Sequence, residues 1–76
     1  MKEVLELLIT NLVEDTAAVK VNQVDGEKSM IFEVRVAESD MGKVIGRQGK
    51  IAKSIRTVMK ALAAKENKRI TIEFIG

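Results

Sequence analysis

The chain has 76 residues, with 13 Lys/Arg against 11 Asp/Glu, no cysteine, no histidine, no proline and two phenylalanines. A chain of this size buries only about 60% of its unfolded surface and must fold without disulfide or metal staples. The missing Cys and His remove thiolate or imidazole zinc sites, cysteine nucleophiles and histidine acid–base catalysis. No apolar run approaches the roughly 20 residues that span a bilayer.

The predicted elements follow in chain order. Glu3–Val13 has helical period, with Val4, Leu5, Leu8 and Leu12 on one stripe and Leu7 off it. Its acidic residues set Met1–Val13 apart from a signal peptide, and a soluble, cytoplasmic chain is expected. Ala18–Val24 is a strand, with Val19 and Val21 in phase, and Asp25-Gly26 is read as a two-residue hairpin turn. Ser29–Ala37 alternates, with Phe32, Val34 and Val36 inward. Ser39 is the expected N-cap of a short helix, Asp40–Ile45, that carries Met41, Val44 and Ile45 on one side. After Gly46–Gly49 a longer helix runs from Lys50 to Lys65. Its expected apolar stripe is Ile51, Ile55, Val58, Met59 and Leu62, opposite Lys50, Lys53, Arg56, Thr57 and Lys60. Glu66-Asn67-Lys68 leads to a last strand, Arg69–Ile75, with Ile70, Ile72 and Phe74 inward. The order α-β-β-α-α-β implies an antiparallel hairpin and a helical crossover to a parallel third strand. The fold class is α+β, a three-stranded mixed sheet packed against helices on one face.

Charge is segregated along the chain. Met41–Lys65 holds seven Lys/Arg and no acid, a charge of +7 against −5 elsewhere. Within it lies Val44-Ile45-Gly46-Arg47-Gln48-Gly49. A bare G-x-x-G is weak, since about one chain of this length in three carries it by chance; isoleucine just before it cuts this to about one in fifty. A Walker A loop would need glycine at 44 and Ser/Thr at 51, where the chain has Val44 and Ile51. A dinucleotide fingerprint would also need glycine at 44, after a strand. Gly42-x-x-x-Gly46 fits a membrane dimer motif but lacks an apolar 20-mer around it.

The loop does match the helix–GXXG–helix unit with which KH domains clamp about four backbone nucleotides of a single strand. Gly46 and Gly49 allow a close backbone approach, and Arg47 and Gln48 project between them. The amides opening the Lys50 helix add donors and the positive end of its dipole. Lys50 and Lys53 lie in its first turns, Lys43 on the other side of the loop. Ile45 is either an apolar floor for a base or a core residue. Lys60 and Lys65 read as a solvated face, and Met41 and Met59 as core.

The run Met41–Lys53, with Ala52, Ile55 and Arg56 at the apolar, apolar and basic positions of the signature, resembles the type II KH domain; Ala52 is smaller than the usual isoleucine or valine. Along its whole length, 1–76, the chain resembles the small bacterial single-KH-domain proteins of the KhpA family. That resemblance implies single-stranded RNA as partner, contacted by Lys43, Ile45, Gly46, Arg47, Gln48, Gly49, Lys50 and Lys53. It also implies a KhpB/Jag-type KH protein as a second partner, RNA chaperoning or post-transcriptional regulation, and a link to cell elongation and peptidoglycan homeostasis. No cofactor, metal, membrane or small-molecule substrate is expected, and no enzymatic activity. The alternative use of the same surface is protein association. A homodimer or heterodimer would form through the helix–GXXG–helix face, helped by the small Ala52, Ala61, Ala63 and Ala64 and by Leu7.

Overall fold

The computed structural model describes residues 1–75, so Gly76 of the expected 1–76 domain lies outside the described residues. The elements are α1 (Lys2–Thr10), β1 (Lys20–Asp25), β2 (Ser29–Arg35), α2 (Met41–Ile45), α3 (Lys50–Lys65) and β3 (Arg69–Ile75), with short 3₁₀ turns at Thr16–Ala18, Glu38–Asp40 and Arg47–Gly49. The expected α+β order therefore stands. β2 is the central strand, antiparallel to β1 from Lys20↔Arg35 to Asp25↔Met30 and parallel to β3 from Ser29↔Arg69 to Arg35↔Ile75. Met30, Phe32 and Val34 of β2 and Ile70 and Ile72 of β3 point into one core with Leu5, Ile9, Val44, Ile55 and Met59.

Several boundaries and faces differ from the sequence reading, each for a local reason. α1 ends at Thr10, not Val13. The Thr10 hydroxyl donates to the Glu6 carbonyl at 2.9 Å and the Asn11 side-chain amide to the Leu7 carbonyl at 2.7 Å, so polar side chains take up carbonyls of the last turn. Its buried line is Leu5 and Ile9, spaced i,i+4; Val4 is exposed, and Leu8 and Leu12 are half-buried. Val13 is buried beyond the helix end. Leu7 is 63% exposed, as its place off the stripe implied.

β1 starts at Lys20 because Thr16–Ala18 forms a 3₁₀ turn and β2 ends opposite at Arg35. The hairpin reverses at Glu27-Lys28, not at Asp25-Gly26. Asp25 is still paired with Met30, and the Gly26 amide donates to the Ser29 carbonyl at 2.8 Å. Gly26 has no positive φ, which the type I′ turn typical of two-residue hairpins would need.

The N-cap of α2 is Asp40, not Ser39, because the Glu38–Asp40 turn carries the chain one residue further before α2 begins. α3 has the expected bounds but a rotated face. Ala52, Ile55, Met59 and Ala63 are buried, Ile51 and Leu62 half-buried, and Val58 is 46% exposed. Ala63 packs into the core with the sheet residues, and Ala52 is buried near the start of the helix. Ala52 and Ala63 are therefore used inside the molecule, leaving Ala61 and Ala64 exposed. Met59 is core as expected, and Met41 is half-buried against it.

Candidate nucleic-acid interface

The loop between α2 and α3 is built from backbone conformations that ordinary residues avoid. Gly46 ends α2, its amide donating to the Gly42 carbonyl at 2.9 Å, and turns the chain at φ +76°, ψ 174°. A Cβ there would lie 2.6 Å from Ile51 Cγ1, so glycine is required twice, for the angle and for the space. Gln48 (φ 57°, ψ 24°) and Gly49 (φ 75°, ψ 14°) follow in the left-handed region. The Gly49 amide closes the loop on the Gly46 carbonyl at 3.1 Å. Gln48 holds a conformation that costs a non-glycine residue of order 1–3 kcal/mol, the kind of outlier that clusters at ligand clamps. Among the described residues, the amides of Arg47 and Gln48 meet no backbone acceptor, and no side chain caps the start of α3.

Arg47, Gln48, Lys50 and Lys53 are all exposed around this loop, and among the described residues Arg47, Lys50 and Lys53 form no ion pair. Ile45 is exposed beside them, which places it as free apolar surface and not as core. Arg56, at the basic position of the signature, is engaged by β3. Its guanidinium lies 5.3 Å from the Phe74 ring centre and donates to the Ile72 carbonyl at 3.5 Å, tying α3 to β3.

Lys43 differs from the other cations of the expected set. Its ammonium donates to Glu14 Oε1 at 2.6 Å and lies 3.4 Å from Asp40 Oδ1. The hydrogen bond to Glu14 is the main cause holding its pKa above the ordinary lysine value. Asp40, 2% exposed, accepts from the backbone amides of Glu14 at 3.2 Å and Asp15 at 3.1 Å. The Asp15 amide is the leading cause of its lowered pKa, against an opposing effect of burial. Asp40 was read in the sequence as no more than part of a helix start. A buried carboxylate bonded to amides 25 and 26 residues earlier leaves no mark in local periodicity.

A second feature also escaped the sequence reading. The rotated face of α3 leaves Val58 exposed, and Leu7, Leu8, Leu12, Ile51 and Ile55 line an apolar groove of about 430 Å³ between α1 and α3. Ile51 joins this groove to the loop, since it is also the side chain packed under Gly46. Among the described residues no cluster of His, Cys, Asp or Glu could hold a metal ion, and no helix is long and apolar enough to cross a membrane.

Residues 2–74 match the family described as KhpA/KhpB, KH domain. The chain belongs to the KhpA/KhpB KH-domain family. Relatives at full length agree with this. The RNA-binding protein KhpA of Clostridium acetobutylicum is 56% identical over 99% of this chain and 100% of its own. Its counterpart in Borreliella burgdorferi is 48% identical over 96% and 89%, and that of Aquifex aeolicus 39% over 99% and 95%. A solved structure of Era in complex with MgGDPNP and nucleotides 1506-1542 of 16S ribosomal RNA superposes with a TM-score of 0.57 at 16% identity. The likeness covers 96% of this chain and 28% of that one, and it shows that the KhpA/KhpB fold recurs there as part of a larger protein.

Proposed function

We propose that this chain is a non-catalytic module that binds single-stranded RNA through the Gly46–Gly49 loop. One observation carries the reading: a loop with three residues at positive φ leaves the Arg47 and Gln48 amides open, with three unpaired cations around it. A phosphodiester approaching Gly46 and Gly49 meets backbone without a Cβ. The amides of Arg47 and Gln48 and the first turn of α3 donate to its oxygens, and Arg47, Lys50 and Lys53 supply charge. Ile45 offers apolar contact to a base. Lys43 is assigned a supporting role, because two carboxylates already hold its charge. The naming of the relatives as RNA-binding proteins supports the same reading. RNA chaperoning, a place in cell elongation and peptidoglycan homeostasis, and pairing with a KhpB/Jag-type protein rest on family kinship alone.

Three or four neutralised phosphates give a log K against log salt slope of roughly −2 to −3 on a single strand. The test is fluorescence anisotropy with labelled single-stranded RNA, for wild type and Arg47→Asp/Gln48→Asp. The variant loses salt-dependent binding while its circular dichroism is unchanged. Equal affinity in a folded variant refutes the loop assignment.

The apolar groove favours a second use, association with a second copy. Leu7, which lines the groove, and Val58, one helical turn beyond Ser54 and Ile55 of its lining, are large, apolar and exposed. Its lining by Ile51 puts any occupant against the loop, so RNA and association compete. Sedimentation velocity across a concentration series tests this. Val58→Asp abolishes a dimer that wild type forms; a wild type monomeric throughout removes the homodimer.

A further inference from the structure

The sheet has a second face, made by the side chains that alternate with the buried ones. The strand register sets them in rows across β1, β2 and β3. Val24, Ile31 and Thr71 form one row, and Asn22, Glu33 and Glu73 the next. On the other side of the apolar row, Ser29 stands beside Arg69. Val24 is 50% and Ile31 37% exposed, two large apolar side chains directly opposite each other. The charges of this face are banded by sign, with Glu33 beside Glu73 and Lys20 opposite Arg35. Like charges on neighbouring strands repel. Among the described residues none of these five charged side chains, Arg69 included, forms an ion pair. Arg69 and Glu73 are four residues apart on β3, about 13 Å, and do not meet within one chain.

A two-fold axis lying across the strands, through Ile31 and Thr71, resolves these bands. It lays the same face of a second copy over the first with the strand direction reversed. Val24 and Ile31 then meet their counterparts at the centre. A residue two before Thr71 meets the residue two after it, so Arg69 of each copy faces Glu73 of the other. By the same count Ser29 faces Glu33. Lys20 and Arg35 fall at the rim, toward the other copy's hairpin tip, where Glu27 and Lys28 are exposed. An axis along β2 instead would set Glu33 on Glu33 and Arg35 on Arg35, so the charge pattern selects the reversed arrangement.

We propose that the open face of the sheet is a weak, self-complementary contact between two copies of this chain, centred on Val24 and Ile31 and closed by reciprocal Arg69–Glu73 pairs. Three strands about 4.8 Å apart and four rows about 7 Å apart cover roughly 300–400 Å² on each copy. The total, roughly 600–800 Å², lies below the range of stable complexes, so the association is transient. It uses no residue of the Gly46–Gly49 loop, and so does not compete with RNA as association at the α1–α3 groove does.

The experiment is sedimentation equilibrium at low salt, up to about millimolar protein, in a Val58→Asp background that silences the groove contact. This parent associates with a Kd of about 0.1–1 mM. Arg69→Glu sets acid on acid at two symmetry-related points, and Glu73→Arg sets cation on cation. Each weakens association at least about tenfold. Both positions are exposed, and an unchanged circular dichroism spectrum reports that each variant is folded. An equimolar mixture of the two variants regains association, because a mixed pair restores both ion pairs. A parent monomeric at millimolar concentration overturns the proposal, as does either variant associating as the parent does. A mixture that stays monomeric also overturns it, since a direct Arg69–Glu73 contact requires the two deficient variants to complement each other.

Discussion

Replacing Gly46 with alanine separates two physical demands that the loop makes on that position. The first is conformational. At φ +76° and ψ 174° the backbone lies in a region essentially reserved for glycine, at a cost of about 1–3 kcal/mol for any other residue. The second is steric. The new methyl would sit 2.6 Å from Ile51 Cγ1 and 2.9 Å from both its Cβ and its Cδ1. Ile51 is β-branched and helical, so its χ1 has one strongly preferred setting and the side chain cannot swing aside. Overpacking of this kind costs about a further 1–3 kcal/mol. Gly49 provides the internal control. It has nearly the same φ, +75°, but a Cβ there meets nothing within 4 Å. Gly49→Ala therefore carries the conformational cost alone, about 1–2 kcal/mol in the left-handed helical region.

A domain of 76 residues has roughly 4–11 kcal/mol to lose; Gly49→Ala stays inside that range, whereas the two costs of Gly46→Ala together, about 2–6 kcal/mol, reach its lower end. Each kcal/mol lowers Tm by about 4–8 °C at this size. Thermal and urea unfolding followed by circular dichroism should place Gly46→Ala below Gly49→Ala by about 1–3 kcal/mol. Adding Ile51→Ala removes Cγ1 and Cδ1 but keeps Cβ. In that background Gly46→Ala becomes less costly, with a coupling of about 1 kcal/mol in a double-mutant cycle. Equal destabilisation by the two glycine substitutions, or additivity of Gly46→Ala with Ile51→Ala, would refute the claim that Gly46 is pinned against Ile51.

Three further outcomes follow from the same geometry. Asp40 has a lowered folded-state pKa, so the stability it contributes is present above its unfolded value and lost as pH falls through the folded one. Asp40→Asn is thus less stable than wild type at neutral pH, and urea midpoints of the two converge below about pH 4; a gap independent of pH down to 2 would deny the charged clamp. Lys43→Met leaves the RNA salt slope unchanged while lowering stability, and a slope shallower by about 0.7 would return Lys43 to the phosphate contacts. Arg56→Leu costs about 0.5–1 kcal/mol from the lost contact with Phe74 and leaves affinity for an RNA tetranucleotide within twofold; a large loss of affinity at unchanged stability would make Arg56 a contact residue.

The elements legible in the sequence were those set by local pattern. The alternation over Ser29–Ala37 identified the central strand because one face of it is buried throughout, and the two glycines identified the loop because both hold a positive φ that favours glycine. The faces of α1 and α3 were read less well. Hydrophobic size put Val4 and Val58 inward, whereas the fold buries the small Ala52 and Ala63 and leaves Val58 outside. The fate of each cation was the least legible. Lys43, Arg47 and Arg56 look alike in the chain. They differ in the fold because Glu14 lies 29 residues before Lys43 and Ile72 lies 16 residues after Arg56, contacts that no local window contains.

These long-range contacts bear on how so small a loop would hold RNA in the proposed mode. α2 has five residues, fewer than a helix needs to persist by itself. It is fixed from both ends. At its start Asp40 is bonded to the Glu14 and Asp15 amides and Lys43 bridges the two carboxylates; in its middle Val44 is fully buried; at its end Gly46 is seated on Ile51 of α3. The open amides of Arg47 and Gln48 are therefore held in place before any phosphate arrives. In the proposed mode, with only three or four phosphates neutralised, binding would have little energy to spend on ordering a mobile loop, and preorganisation would lower that cost. On this view Lys43 serves RNA binding without touching RNA. Its charge joins Glu14 to Asp40, and through them it holds the first turn of the helix that presents the loop.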